Sequence, residues 1–347
     1  MIRVAVLGGG IGAQHLDAYH QLDAFEVTHL VDQDADRRAA LCGQTISGLN
    51  DVEAALATDV DLIDICLPPH LHAPVTLAAL AAGKHVICEK PLATSMAQVD
   101  AITAAAQASG KQVFPVFQYR FGPAFDQLGA LRDAGLTGAP RAAALETHWN
   151  RGADYYEVPW RGTWAGEQGG AVLGHAIHAH DLLSHFVAPI RSLTARLATL
   201  VNPIETEDSA ALILDLDGGA VATSSITLGH ARDETRLRFV YEHLTATSHT
   251  NPYAPAQGAW TFCARDPGRQ ADVDRVTSAV RPGPAGFAGF LAEVAKALTG
   301  APNTAVTLAD GAASIAMVTA IYAAHRSGAR VMLPLDSAHP LYHGWQP

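Results

Sequence analysis

The chain is 347 residues long, 49% hydrophobic and 16% charged, with a formal charge of −11, which suits two domains with separate cores. With no cluster of lysine or arginine, this balance argues against nucleic acid or an anionic membrane as a partner. Cys42, Cys66, Cys88 and Cys263 form no C-x-x-C pair, the first strand begins at Ile2 with no room for a signal peptide, and no apolar run reaches membrane-spanning length, so a cytoplasmic protein is expected.

Residues 4–7 read as an apolar strand that turns through Gly8 and Gly10 into a helix beginning near Ile11 and Gly12, a G-x-G-x-x-A pattern ending at Ala13. Gly8 permits the tight turn, and Gly10 leaves no side chain between backbone and pyrophosphate. Ala13 is expected to let the helix lie close on its strand, while the N–H groups of the first turn face phosphate. Asp32 ends the next apolar run about twenty residues on, where a carboxylate accepts from the ribose hydroxyls of NAD and repels a 2′-phosphate. Arg37 and Arg38 keep NADP possible.

Helices are expected over 35–41 and 50–57, the second capped by Asn50. A strand over 60–67 ends at Pro68 and Pro69, placing His70 and His72 in the loop beyond the carboxyl edge, where ligands of parallel sheets sit. A helix over 73–82 and a strand over 84–88 deliver Glu89, Lys90 and Pro91 to the same edge. There a lysine ammonium favours a substrate alkoxide, and Glu89 orients or neutralises it.

A helix over 95–109 and a strand over 112–117 lead to Gln118, Tyr119 and Arg120, where the alternation ends. The expected fold is therefore α/β. Residues 1–120 form a doubly wound parallel Rossmann domain, and residues 121–347 an α+β substrate domain with a mainly antiparallel sheet. Its strands are expected over 142–148, 192–200, 210–216, 220–228 and 235–241, its helices over 285–298 and 308–325. Residues 243–281 carry no clear periodicity.

The small and apolar residues of 169–185 read as a helix on which His175, His178 and Asp181 share a face, while His180 points elsewhere. A histidine near lysine and nicotinamide takes the proton of a secondary alcohol as hydride leaves its carbon, and Asp181 orients its ring. A metal held by these three is the rival, without familiar ligand spacing. His180 and His185 are expected to be packing residues.

Taken with Pro68-x-x-x-His72, Glu89-Lys90-Pro91 and Tyr119-Arg120, the G-G-x(7)-H-x-x-D segment makes the chain resemble the glucose-fructose oxidoreductase, inositol dehydrogenase and MocA (Gfo/Idh/MocA) family over nearly its whole length. The resemblance implies a Rossmann domain with NAD, followed by a domain whose open sheet forms a homodimer or homotetramer. It implies a small carbohydrate or polyol substrate, and, with no familiar ligand spacing in the sequence, no metal is expected. By the same resemblance Lys90 and His178 are catalytic, Pro68, His72, Gln118, Trp160 and Arg161 lie near the cofactor, and Asp181 is the acidic residue three beyond the histidine. Gly174 departs from the family's D-x-x-x-H, and His175 is a partial substitute. Arg151 and Tyr155, in a loop with His148, Asn150, Asp154 and Tyr156, are expected to hold the substrate together with Tyr119. A redox glycoside hydrolase using bound NAD, or a dinucleotide sensor without catalysis, are the alternatives.

Overall fold

Apolar strands that alternate with helices build a six-stranded parallel sheet from the first third of the chain. In this computed structural model, which describes all 347 residues, they are β1 (Ile2–Leu7), α1 (Gly12–Tyr19), β2 (Phe25–Val31), α2 (Ala35–Cys42), β3 (Ser47–Leu49), α3 (Val52–Leu56), β4 (Leu62–Ile65), α4 (Pro69–Ala81), β5 (His85–Cys88), α5 (Met96–Ser109) and β6 (Val113–Pro115). The strand order β3-β2-β1-β4-β5-β6 reverses between β1 and β4, the position at which such sheets open a crevice for a nucleotide. Strands β1, β4 and β5 are buried on both faces at their centres, which is why they are mostly apolar, with Asp64 of β4 the buried charged exception.

Two local expectations are corrected and a third is extended. The cap of α3 is Asp51, whose carboxylate accepts from Ala54 N, and not Asn50. Pro68 is the N-cap of α4 and Pro69 its first residue, so His70 and His72 lie in the first turn of a helix and not in a loop. Gly12 adds to the close approach of α1 to the sheet: a Cβ there would lie 3.1 Å from Val6 Cγ1 and 3.4 Å from Cys66 Cβ.

The remaining elements are α6 (Pro123–Asp133), β7 (Pro140–Asn150), α7 (Ile177–Phe186), β8 (Ile190–Ala198), β9 (Ser209–Leu216), β10 (Val221–Thr227), β11 (Gly229–Tyr241), β12 (Leu244–Thr247), β13 (Thr261–Ala264), α8 (Gln270–Ala279), α9 (Gly286–Thr299), α10 (Leu308–Ser327) and β14 (Val331–Met332). Their eight strands run β13-β12-β11-β7-β10-β9-β8-β14, antiparallel except where β10 meets β7. Burial alternates along β9 and β10, leaving one side of each exposed.

Contacts divide the chain into residues 1–117 with 287–315, and 118–286 with 316–347. The second unit is therefore not the continuous span 121–347. Within the first unit Phe287 of α9 lies 4.5 Å from the His15 ring, and Gly311 of α10 sits so close to Pro115 and Leu92 that a Cβ would not fit. The helix α10 also corrects the expectation about membrane-length runs: it is long and apolar enough to cross a membrane by composition, but its apolar window is 67% buried in the protein.

Candidate functional site

The turn after β1 has the geometry of a phosphate cradle. Gly8 has φ +99°, and a Cβ there would lie 2.5 Å from the Cys66 carbonyl oxygen, so only glycine fits. A Cβ on Gly10 would meet nothing within 4 Å, which leaves its backbone open to a ligand. No side chain caps α1, so the N–H groups at Ile11 and Gly12 are left for an anion. Asp32 is buried at the end of β2, and its Oδ2 accepts from Gly9 N at 2.7 Å and pairs with Arg37 Nε at 3.1 Å. The residues present thus fit a dinucleotide with free ribose hydroxyls. Arg37 is engaged by Asp32 and Asp34, and Arg38 by the Asp32 carbonyl.

At the neighbouring strand ends, His72 is buried with Nδ1 2.6 Å from Pro91 O and Nε2 2.7 Å from Leu67 O. It ties the end of β4, just before Pro68, to the Glu89-Lys90-Pro91 turn. Glu89 is buried; although burial raises its pKa, the hydrogen bond from His15 and the charges of His15 and Lys90 hold it below the usual glutamate value. The Lys90 amide donates to Glu89 Oε2 at 3.0 Å.

In the second unit the chain passes Gly169 and Gly170 because nothing larger fits: a Cβ on Gly170 would lie 1.9 Å from the Glu207 carbonyl oxygen. A π turn over Val172–Ala176 then runs into α7. That wider turn divides the histidines. The ring of His178 stacks on Tyr119, centroids 4.2 Å apart at 19°. Asp181, one α turn on, takes the fork of Arg120 at 2.8 and 2.5 Å, with both side chains buried. His175 instead meets the rings of Trp149 and Tyr155 at 5.1 and 5.7 Å. His180 reaches Ser224 Oγ of β10 at 3.0 Å, and burial lowers its pKa to about 4, as suits a packing residue. His185 is exposed. Beside Tyr119, Gln118 carries a buried Oε1 with no hydrogen-bond partner in the protein, an acceptor for a ligand N–H or O–H.

The residues expected to hold substrate form an aromatic and cationic cluster. Arg151 pairs with Asp233 at 2.9 Å, donates to Tyr253 Oη at 2.9 Å and lies 5.1 Å from the Tyr155 ring. Arg161 lies 4.0 Å from the Tyr155 ring and 5.4 Å from that of Trp160.

Several participants carried no sequence signal of their own. The buried carboxylate of Glu207 accepts from Gly170 N, from Val172 N at 3.0 Å and from Tyr322 Oη at 2.9 Å, so it anchors the start of the histidine segment; burial lifts its pKa to about 7. Glu167, buried, lies where a side chain at Gly174 would point, its Oε1 3.4 Å from an ideal Cβ. The donors that do converge as a metal-sized trio are His15, Asp64 and Cys66, not His175, His178 and Asp181.

Residues 2–117 match the model of an oxidoreductase family with an NAD-binding Rossmann fold, and residues 125–247 that of the GFO/IDH/MocA C-terminal domain. Among curated relatives, inositol 2-dehydrogenase of Rhodococcus erythropolis is 38% identical over 40% of this chain and 42% of its own. D-apiose dehydrogenase of Paraburkholderia graminis is 28% identical over 68% and 62%. An oxidoreductase of Synechocystis is 29% identical over 65% of each chain, so the match spans just under two thirds of that relative. The WlbA dehydrogenase of Bordetella pertussis, solved with NADH and UDP-GlcNAcA, superposes with a TM-score of 0.84 at 27% identity, covering 96% of this chain and 99% of that one. With the glycine turn, the acidic strand end and both domain models in agreement, the chain belongs to the Gfo/Idh/MocA family of oxidoreductases, and its first unit is an NAD-binding Rossmann domain.

Proposed function

We propose that this protein moves hydride between NAD(H) and a secondary carbinol of a sugar, sugar derivative or cyclitol. The observation that carries the reading is His178: an imidazole buried and stacked on Tyr119, the residue that follows Gln118 with its unsatisfied buried acceptor. The inositol and D-apiose dehydrogenases among the relatives, and the WlbA dehydrogenase solved with UDP-GlcNAcA, support a polyhydroxylated substrate. In the oxidative direction His178 accepts the hydroxyl proton and Lys90 stabilises the developing alkoxide. The nicotinamide supplies the hydride acceptor. Gly8, Gly10, Ile11, Gly12 and Asp32 hold the dinucleotide, with Pro68, His72, Glu89, Gln118, Trp160 and Arg161 assigned to the same cofactor. Tyr119, Arg151, Tyr155, His175 and Asp181 shape the substrate side. The Asp32 carboxylate favours NAD over NADP.

We place the enzyme in the cytoplasm, in keeping with its free cysteines, and as a homodimer or homotetramer through the open side of its sheet, where Ile213 and Val221 are 62% and 51% exposed. Light scattering on a sizing column tests the assembly. The test of function is NADH appearance against aldoses, uronates, glycosides and inositols, with NAD and NADP in parallel. Reduction of NAD by one polyol class is expected. Glycoside cleavage without net NADH, or NAD binding without any turnover, overturns the dehydrogenase reading.

A further inference from the structure

Helix α1 carries a histidine that the fingerprint does not require. His15 is fully buried beneath the phosphate turn, with Nδ1 2.8 Å from Asp64 Oδ2 and Nε2 3.1 Å from Glu89 Oε1. Asp64 Oδ2 also accepts from Tyr19 Oη at 3.0 Å, Cys66 Sγ lies 3.5 Å from Nδ1, and the Phe287 ring covers the imidazole. These are the groups that face the ring: Asp64 and Cys66 from β4 and its end, Glu89 from the end of β5, Tyr19 from α1 and uncharged Phe287 from α9.

Ionised carboxylates only accept, so an imidazole placed between two of them carries a proton on each nitrogen. The arrangement is a cation strung between two anions in the dry middle of a parallel sheet. This also accounts for the convergence of His15, Asp64 and Cys66 without a metal, since direct hydrogen bonds already join the donors and burial pushes the Cys66 thiol up to about 12. Burial alone would lower the His15 pKa; the Asp64 charge and hydrogen bond lift it well above the usual value.

We infer that His15 is a positioning residue for the active-site lysine: strung between Asp64 and Glu89, it fixes the Glu89 carboxylate whose other oxygen receives the Lys90 amide. The inference rests on the proposal that Lys90 acts on the substrate oxygen. It adds a requirement. Helix α1, which presents its N-terminus to the pyrophosphate, and the Glu89-Lys90-Pro91 turn, which presents the ammonium, are locked in register by one charged ring. Without His15, Glu89 loses its hydrogen-bonded cation, takes up a proton more readily, and no longer supports the charge of Lys90.

The test uses His15→Asn, Glu89→Gln, the double variant and Lys90→Ala, each with NADH binding followed by fluorescence. His15→Asn is expected to keep NADH affinity within about 3-fold, lower kcat by about 30-fold or more, and move the alkaline limb of the kcat/KM profile to lower pH. The double variant is expected to be no worse than the more damaged single, because both act through one chain of contacts. Full additivity, or a kcat and alkaline limb unchanged in His15→Asn, overturns the inference. Should His15→Asn not fold, histidine nitrogen NMR of the wild-type protein decides: a ring still protonated on both nitrogens at pH 8 supports the chain, and a neutral ring refutes it. Lys90→Ala is read separately. Full activity in that variant sinks the assignment of Lys90, whereas the NMR result on His15 stands or falls without it.

Discussion

Glu207 offers a stability test that contact counting would miss. Its carboxylate is buried, accepts from the backbone at Gly170 and Val172 and from Tyr322, and has a pKa of about 7 against the usual 4.5. A folded pKa above the unfolded one means that the native state still holds a proton that the unfolded chain has released. Between about pH 4.5 and pH 7 stability therefore falls as pH rises, and that gap corresponds to about 3 kcal/mol. In Glu207→Gln no proton is exchanged, while one accepting oxygen is replaced by a donor, a loss of about 1 kcal/mol. The variant should be about as stable as wild type at pH 5, where the ~1 kcal/mol hydrogen-bond loss is offset by the linkage stability that wild type has already lost, and about 2 kcal/mol more stable at pH 8. Urea unfolding at the two pH values, followed by fluorescence, checks this. A difference of the same size and sign at both pH values would refute it.

Other outcomes follow from single contacts. Asp181→Asn takes the forked carboxylate from the buried Arg120 guanidinium and should cost about 3–5 kcal/mol, whereas Arg120→Met with Asp181→Leu should recover most of it in a thermal melt. Gly170→Ala, with its Cβ driven against Glu207 backbone, should cost more than about 3 kcal/mol or prevent folding, while Gly174→Ala, whose nearest neighbour is 3.4 Å away, should be neutral or stabilising by up to about 1 kcal/mol. Asp32→Ser should reduce the preference for NAD over NADP by about 10- to 100-fold in kcat/KM, and an unchanged ratio would remove Asp32 as the discriminating group.

Residues 1–117 of the first unit were legible because their signals are local, whereas nothing local announced that 287–315 would join them. A glycine with positive φ, an acidic strand end and proline after a strand each announce themselves within a few residues, and Gly8, Asp32 and Pro68 lie where that reading places them. The same proximity misled where one residue type has two uses. Pro68 and Pro69 follow β4 but start α4, which drew His72 into a helix. Asn50 and Asp51 are both good caps, and only the backbone decides between them. In the second unit the strands β12 and β13 are too short to show a period, at Leu244–Thr247 and Thr261–Ala264. The wide turn at Val172–Ala176 has no composition of its own, yet it sends His175 and His178 to different neighbours. Arg120 for Asp181 and Glu207 for Gly170 are pairings across long stretches of chain, which no spacing rule reaches.

The proposed chemistry assigns Lys90 and His178 to one substrate hydroxyl, so the decisive measurement is single-turnover hydride transfer in wild type, Lys90→Ala and His178→Asn, with NADH binding measured on the same samples. Transfer should fall by about 100-fold or more in each variant while the nucleotide still binds within a few-fold. Transfer at the wild-type rate in either variant, with binding intact, would contradict the chemistry assigned to that residue.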